Sequence, residues 1–138
     1  MAITQAMCTS FKSELLQEGH QLATDTIKIA LYTSSASLDA TTTAYSSSNE
    51  VSGTGYTATG VTLTSTAVST TGTTAHFDAD DPTWTSASFT ARGALIYNSS
   101  NSNKAIAVLN FGGDFTVSGG TFKIVFPAAG STAIIRID

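Results

Sequence analysis

Charge is scarce in this chain: only 12% of its 138 residues are Asp, Glu, Lys or Arg, and there are two histidines, two prolines and one cysteine. Acid–base and nucleophilic catalysis need titratable side chains brought together, so this is a poor composition for an enzyme. The six basic residues (Lys12, Lys28, Arg92, Lys104, Lys123, Arg136) stand singly, and the net charge is −4. A face that grips phosphates needs clustered bases, which argues against nucleic acid as a partner. Cys8 alone can form neither an intrachain disulfide nor a thiolate metal cluster, and its mixed neighbours suit a small buried residue on a helix. No apolar run approaches the ~20 residues that span a bilayer. Nor do the first residues show a basic stretch leading into an apolar segment of signal-peptide length. The expectation is a protein made in a cytoplasm, soluble or assembled there, with no membrane contact, cofactor or metal.

What is present is 18 Ser and 24 Thr set between short apolar runs, with 41% hydrophobic residues overall. β-Branched and aromatic residues fit a pleated, half-buried surface, and the length suits one domain with one core. One helix is expected over 4–18, where Met7, Phe11 and Leu15 recur at four-residue spacing beside Cys8 and Leu16. Thr4 would be its N-cap, and Gly19 a plausible residue for the left-handed turn after it. A helix this short cannot bury its stripe alone; it must lie on the sheet or on a neighbouring subunit.

Period-two alternation follows. In the strand 26–32, Ile27, Ile29 and Leu31 point one way and Lys28, Ala30 and Tyr32 the other. Further strands are expected over 61–69, 74–78, 86–97, 105–111, 121–126 and 133–138, with turns at Thr71-Gly72, Ala79-Asp80-Asp81-Pro82 and 98–103. Gly112-Gly113 and Gly119-Gly120 bracket a short segment. Seven or so strands at this spacing imply two packed antiparallel sheets: a mainly β chain, an antiparallel β-sandwich with one short N-terminal α-helix, as a single domain over 1–138. The exception is 33–60, nearly all Ser, Thr, Ala, Gly and Asn, with Tyr45, Val51 and Tyr56 as isolated larger residues. Such a stretch reads as a polar arm or long loop that could order only on contact.

Few constellations could carry chemistry. Asp78, Asp80 and Asp81 could hold a cation, but they lack the spacing of an EF-hand loop, and a solvated acidic turn is the simpler reading. His20 and His76 coexist with many serines, yet no Gly-x-Ser-x-Gly elbow is present, so no triad is assigned. Gly53 and Gly55 have no following Lys and no strand–turn–helix context, which removes a phosphate loop. Tyr45, Tyr56, Tyr97 and Trp84 could stack on sugars if exposed, although Trp84 as a core cap is the preferred account.

Longer blocks carry a resemblance. The opening Met1-Ala2-Ile3-Thr4-Gln5-Ala6-Met7-Cys8-Thr9-Ser10-Phe11-Lys12-Ser13-Glu14-Leu15-Leu16 is similar to the start of small virion structural proteins of tailed bacteriophages. The likeness continues through Ile27-Lys28-Ile29-Ala30-Leu31-Tyr32-Thr33 and Asn49-Glu50-Val51-Ser52-Gly53-Thr54-Gly55-Tyr56. It returns at Phe89-Thr90-Ala91-Arg92-Gly93-Ala94-Leu95-Ile96-Tyr97-Asn98, Phe126-Pro127-Ala128-Ala129 and Ala133-Ile134-Ile135-Arg136-Ile137. The resemblance implies a capsid decoration (cement) protein on the outer surface of the virion head, bound to the phage major capsid protein and stabilising contacts between its subunits. It brings no catalytic residues. A symmetric homo-oligomer would suit such a role, for instance a trimer near a three-fold site. The alternative is a tail- or fibre-associated module that recognises host-surface glycans. Partner contacts are expected at Met7, Phe11 and Leu15 on the helix, at Tyr45 and Tyr56 in the arm, and at Trp84.

Overall fold

The computed structural model describes residues 2–130 and 132–137. It is mainly β, with two antiparallel sheets and one short helix near the N-terminus, as in a β-sandwich. In chain order the elements are β1 (Ala6–Met7), α1 (Thr9–Leu16), β2 (Ile27–Tyr32), β3 (Val61–Thr62), β4 (Ala67–Thr71), β5 (Thr74–Asp78), β6 (Thr83–Asn98), β7 (Lys104–Lys123) and β8 (Ile135–Ile137). The larger sheet has the order β1-β7-β6-β2-β3 and the smaller one β4-β5-β8. Asp138, the last residue of the strand expected over 133–138, lies outside the described residues.

The helix is shorter than the pattern predicts. Ala6 and Met7 are extended and pair with Val108 and Ala107, the Thr4 N–H bonds to the Leu38 carbonyl (2.8 Å), and the Cys8 N–H bonds to the Ile106 carbonyl (2.9 Å). Cys8, not Thr4, takes the N-cap position, without a side-chain cap. Tertiary strand pairing thus overrides a weak local helix preference. At the other end Glu18 adopts the left-handed conformation (φ 59°) expected of Gly19. The Gly19 N–H then closes the motif on the Glu14 carbonyl at 2.7 Å.

The expected strand over 61–69 is two strands in different sheets. Val61–Thr62 pairs with β2, and Ala67–Thr71 pairs with β5. Conversely, the glycine pairs at 112–113 and 119–120 do not end a strand. β7 runs through them, and the β6–β7 register shifts between Ala91 and Gly93, opposite Phe115 and Asn110, and again around Ala87. The glycines sit in bulges, where an irregular ladder tolerates their conformations.

The largest revision concerns 33–60. It is not a free arm in this structure. Ala36, Leu38 and Val51 are buried, and single bridges tie Leu38 to Ile3, Ala44 to Lys104, Glu50 to Tyr32 and Thr54 to Ser88. The segment covers the Lys28, Ala30 and Tyr32 side of β2, which alternation alone assigns to solvent. Ala30 and Tyr32 are consequently as buried as Ile29 and Leu31. Gly60 makes the close approach possible: its φ is +82°, and a Cβ there would stand 1.9 Å from the Ile29 carbonyl oxygen. The opposite side of β2, with Ile27 and the facing Asn98, receives α1 and the small sheet through Phe11, His20 and Phe77. No described helix is long and apolar enough to cross a membrane.

Candidate contact surface

The protein's four tyrosines converge on the packed loop, and their anchor is Glu50. Its Oε1 accepts the Tyr45 hydroxyl at 2.6 Å, and its Oε2 accepts the Tyr56 hydroxyl at 2.5 Å and the Thr59 N–H at 2.9 Å. Tyr56 in turn accepts the Leu31 N–H (3.0 Å), Tyr32 donates to the Ser46 carbonyl (2.7 Å), and Tyr97 donates to the Thr59 carbonyl (2.6 Å) while stacking on Tyr45. Burial, reinforced by the Glu50 charge, pushes the phenols of Tyr32, Tyr45 and Tyr56 well above the ordinary tyrosine range, and burial lifts Tyr97 to about 12. The arrangement is a clamp: charge-assisted bonds hold a loop that has little apolar surface of its own. The signal for it in the sequence is a lone Glu beside two isolated tyrosines in an otherwise small-residue stretch.

A second polar chain fixes the end of α1. His20 shares Glu14 Oε1 at 2.8 Å through Nε2, while Nδ1 lies 3.1 Å from Asn98 Nδ2, which also donates to Asp25 Oδ2 at 2.8 Å. Asn98 is fully buried. Its amide holds the Asp25 carboxyl below the usual carboxylate range. Cys8 is buried, and burial, followed by the charges of Asp39 and Glu14, raises its thiol to about 11. His76 meets the hydroxyls of Thr71 (3.0 Å) and Ser69 (3.4 Å) through Nε2, but its Nδ1 has no hydrogen-bond partner among the described residues. A nucleophilic serine would need a third group orienting that nitrogen.

Two of the three acidic side chains are engaged within the chain. Asp81 accepts the Phe126 N–H at 2.8 Å and Asp80 accepts the Thr64 hydroxyl at 3.3 Å, whereas Asp78 lies in β5 opposite Ala67 with its buried Oδ1 lacking a hydrogen-bond partner among the described residues. Among the described residues no three His, Cys, Asp or Glu side chains are grouped to hold a metal ion.

The six residues expected at partner contacts end in different places. Phe11 is fully buried and edge-on to the His20 ring, and Met7 is a half-buried strand residue instead of part of a helical stripe. Tyr45 and Tyr56 are half-buried in the clamp. Trp84 is 3% exposed, packed between Tyr56 and Phe122, so it offers no sugar-stacking platform. Leu15, with the buried Phe11 behind it, borders an accessible apolar groove of about 180 Å³ between α1 and the small sheet, where Val68 and Ile137 are half exposed.

A more extensive apolar surface lies where sequence reasoning assigned only strands. The long β6–β7 ribbon overreaches the short strands of the second sheet. On its far half Phe122 contacts the rings of Trp84, Phe89 and Phe111, and Phe111 contacts Phe115. Phe111 and Phe122 floor a groove of about 440 Å³ bordered by Phe115, Val117, Ile124 and Val125, with Thr116, Thr121 and Lys123 at its sides. Phe115 is 53% and Val125 72% exposed. A contiguous apolar groove on a water-exposed face is the signature of a protein-contact surface. Phe111, Phe115 and Phe122, interleaved with glycines and almost free of charge, are the sequence signal for it. No family model matches the chain, and no curated protein or solved structure is found to resemble it.

Proposed function

We propose that this protein is a non-enzymatic virion structural protein of a tailed bacteriophage, a decoration protein that binds the major capsid protein on the outer head surface and reinforces contacts between capsid subunits. The observation that carries the reading is the largely apolar groove on the β6–β7 ribbon, with Lys123 as its one charged lining residue, mounted on a sandwich in which Glu50, His20 and Asp81 hold loops in place. The sequence blocks that resemble phage virion proteins fall chiefly on β1 and α1, β2, the Glu50 clamp, β6 and β8. In this reading they preserve the scaffold that presents the groove. Recognition by shape and apolar anchors suits a chain with so little charge, and many modest contacts add up across a particle through multivalency.

The test is copy number and position in purified virions, by quantitative protein analysis and particle imaging, with heat resistance of heads compared with and without the protein. Hundreds of copies over the head and a loss of heat resistance on removal are expected. A few copies confined to the tail would contradict the reading.

A further inference from the structure

We infer that the outer edge of β7 is a self-association edge, across which two copies of this chain pair antiparallel about a two-fold axis at Val117. The inference is independent of the virion role. β1 covers β7 only at Ala107 and Val108, and Gln5 caps the Asn110 N–H; past that point no described strand pairs with the outer edge of β7. Which backbone groups face outward follows from the ladder. The Ser88 N–H donates to the Thr54 carbonyl on the far side of β6, so Ser88 points its backbone away from β7. Antiparallel alternation then makes Ser88–Ser118 and Thr90–Thr116 the non-hydrogen-bonded pairs. The 2.8 Å contact between the Thr90 and Thr116 hydroxyls agrees, since side chains approach most closely at such pairs. Thr116 and Ser118, both exposed, therefore turn their N–H and C=O groups to solvent.

Natural edges of this kind are usually blunted by lysines, prolines or shortness. This one has none of these between Phe115 and Phe122. What fits it is a second copy. The chain carries a net charge of −4, which opposes self-contact over most of its surface, whereas this stretch is uncharged. Pairing about Val117 sets Thr116 opposite Ser118 of the second copy, so that the outward groups form hydrogen-bonded pairs on both sides of the axis. It sets Phe115 opposite the glycine at 119, covering bare backbone with an aromatic ring, and the space where a Cβ would stand on Gly119 is open to 4 Å in the single chain. Asp114, the nearest charge, falls opposite Gly120 and not opposite its own image. Pairing through one edge also predicts a two-fold dimer, in contrast to the three-fold arrangement the family resemblance suggests.

Sedimentation velocity of the full chain over a concentration series tests this. A monomer–dimer equilibrium is expected. Thr116→Pro removes two outward donors per dimer and should weaken association by about 10- to 100-fold, with the melting transition retained. If that variant does not fold, Thr116→Lys combined with Phe115→Lys provides the same readout. Under mild oxidation Val117→Cys should crosslink the dimer, because non-hydrogen-bonded antiparallel pairs sit about 4.5 Å apart at Cα, within disulfide reach. A protein that stays monomeric throughout would overturn the inference. So would a dimer that persists in folded edge variants, or one that Val117→Cys fails to crosslink.

Discussion

The near and far halves of the β6–β7 ribbon share one backbone ladder and almost nothing else. From Gly93 to Asn98 every β6 residue is buried, and so are the facing residues Ala105, Ile106, Ala107 and Val108. From 83 to 91 buried and exposed residues of β6 mostly alternate, and from 111 to 123 no β7 residue is buried. The difference lies in what covers each half. The near half has α1 and the small sheet on one side and the 33–60 loop, clamped by Glu50, on the other. On the far half the loop reaches only β6, bridging Thr54 to Ser88 and setting Tyr56 against Trp84 and Phe89. From 111 to 123, β7 extends past both layers with its aromatics packed chiefly on other rings. Burial in a sheet is therefore set by the layers available and not by the strand's own pattern. A ribbon that outgrows its layers presents apolar surface and an open edge.

If this contrast is right, truncation should separate the halves sharply. Ile96→Ala or Ile106→Ala, in fully buried positions, should cost about 2–5 kcal/mol in urea unfolding. Next in size is the clamp. Glu50→Ala leaves two tyrosine hydroxyls and one N–H without their charged acceptor and should cost about 2–3 kcal/mol, with proteolysis appearing first within 33–60.

The same clamp sets an alkaline limit. The tyrosines hold their protons more tightly folded than unfolded, so their stabilisation is intact below about pH 10, the ordinary tyrosine value. It is lost as pH climbs through the folded values, about 12 for Tyr97. Tyrosine ionisation followed by ultraviolet absorbance should thus coincide with unfolding above about pH 10; early, independent titration of the four phenols would count against the clamp. The smallest effect is expected at Phe115→Ala. At a half-exposed position it should change unfolding by less than about 1 kcal/mol while weakening association. A loss as large as that of Ile96→Ala would erase the distinction between the halves.

β2 was legible because Ile27, Ile29 and Leu31 recur at period two, and β5 and most of β6 because apolar, β-branched and aromatic residues run between turn signals. Legibility failed where long-range pairing decides the local structure. Residues 4–7 carry part of a helical stripe, yet the β7 edge recruits them as extended chain. The 33–60 loop has no periodicity because single bridges and tyrosine hydroxyls hold it, and these leave no repeating mark. The glycine pairs of β7 looked like breaks because a bulge and a turn require the same residues. The contact surface was hidden for a related reason. Phe115 and Val125 fall in a glycine-bracketed segment and a strand that carry no contact signal until the shortness of the second sheet is known. Phe11 is expected at a partner contact although the core encloses it, as it does Trp84 in keeping with the core-cap account.

The division of the ribbon into a buried scaffold and an exposed contact half is tested most directly by hydrogen exchange of the full chain at low and high concentration. Protection should be high and unchanged at 93–98 and 105–108, whereas the amides of Thr116 and Ser118 should exchange fast when dilute and slow markedly on concentration. Equal protection of both halves at every concentration would contradict the account.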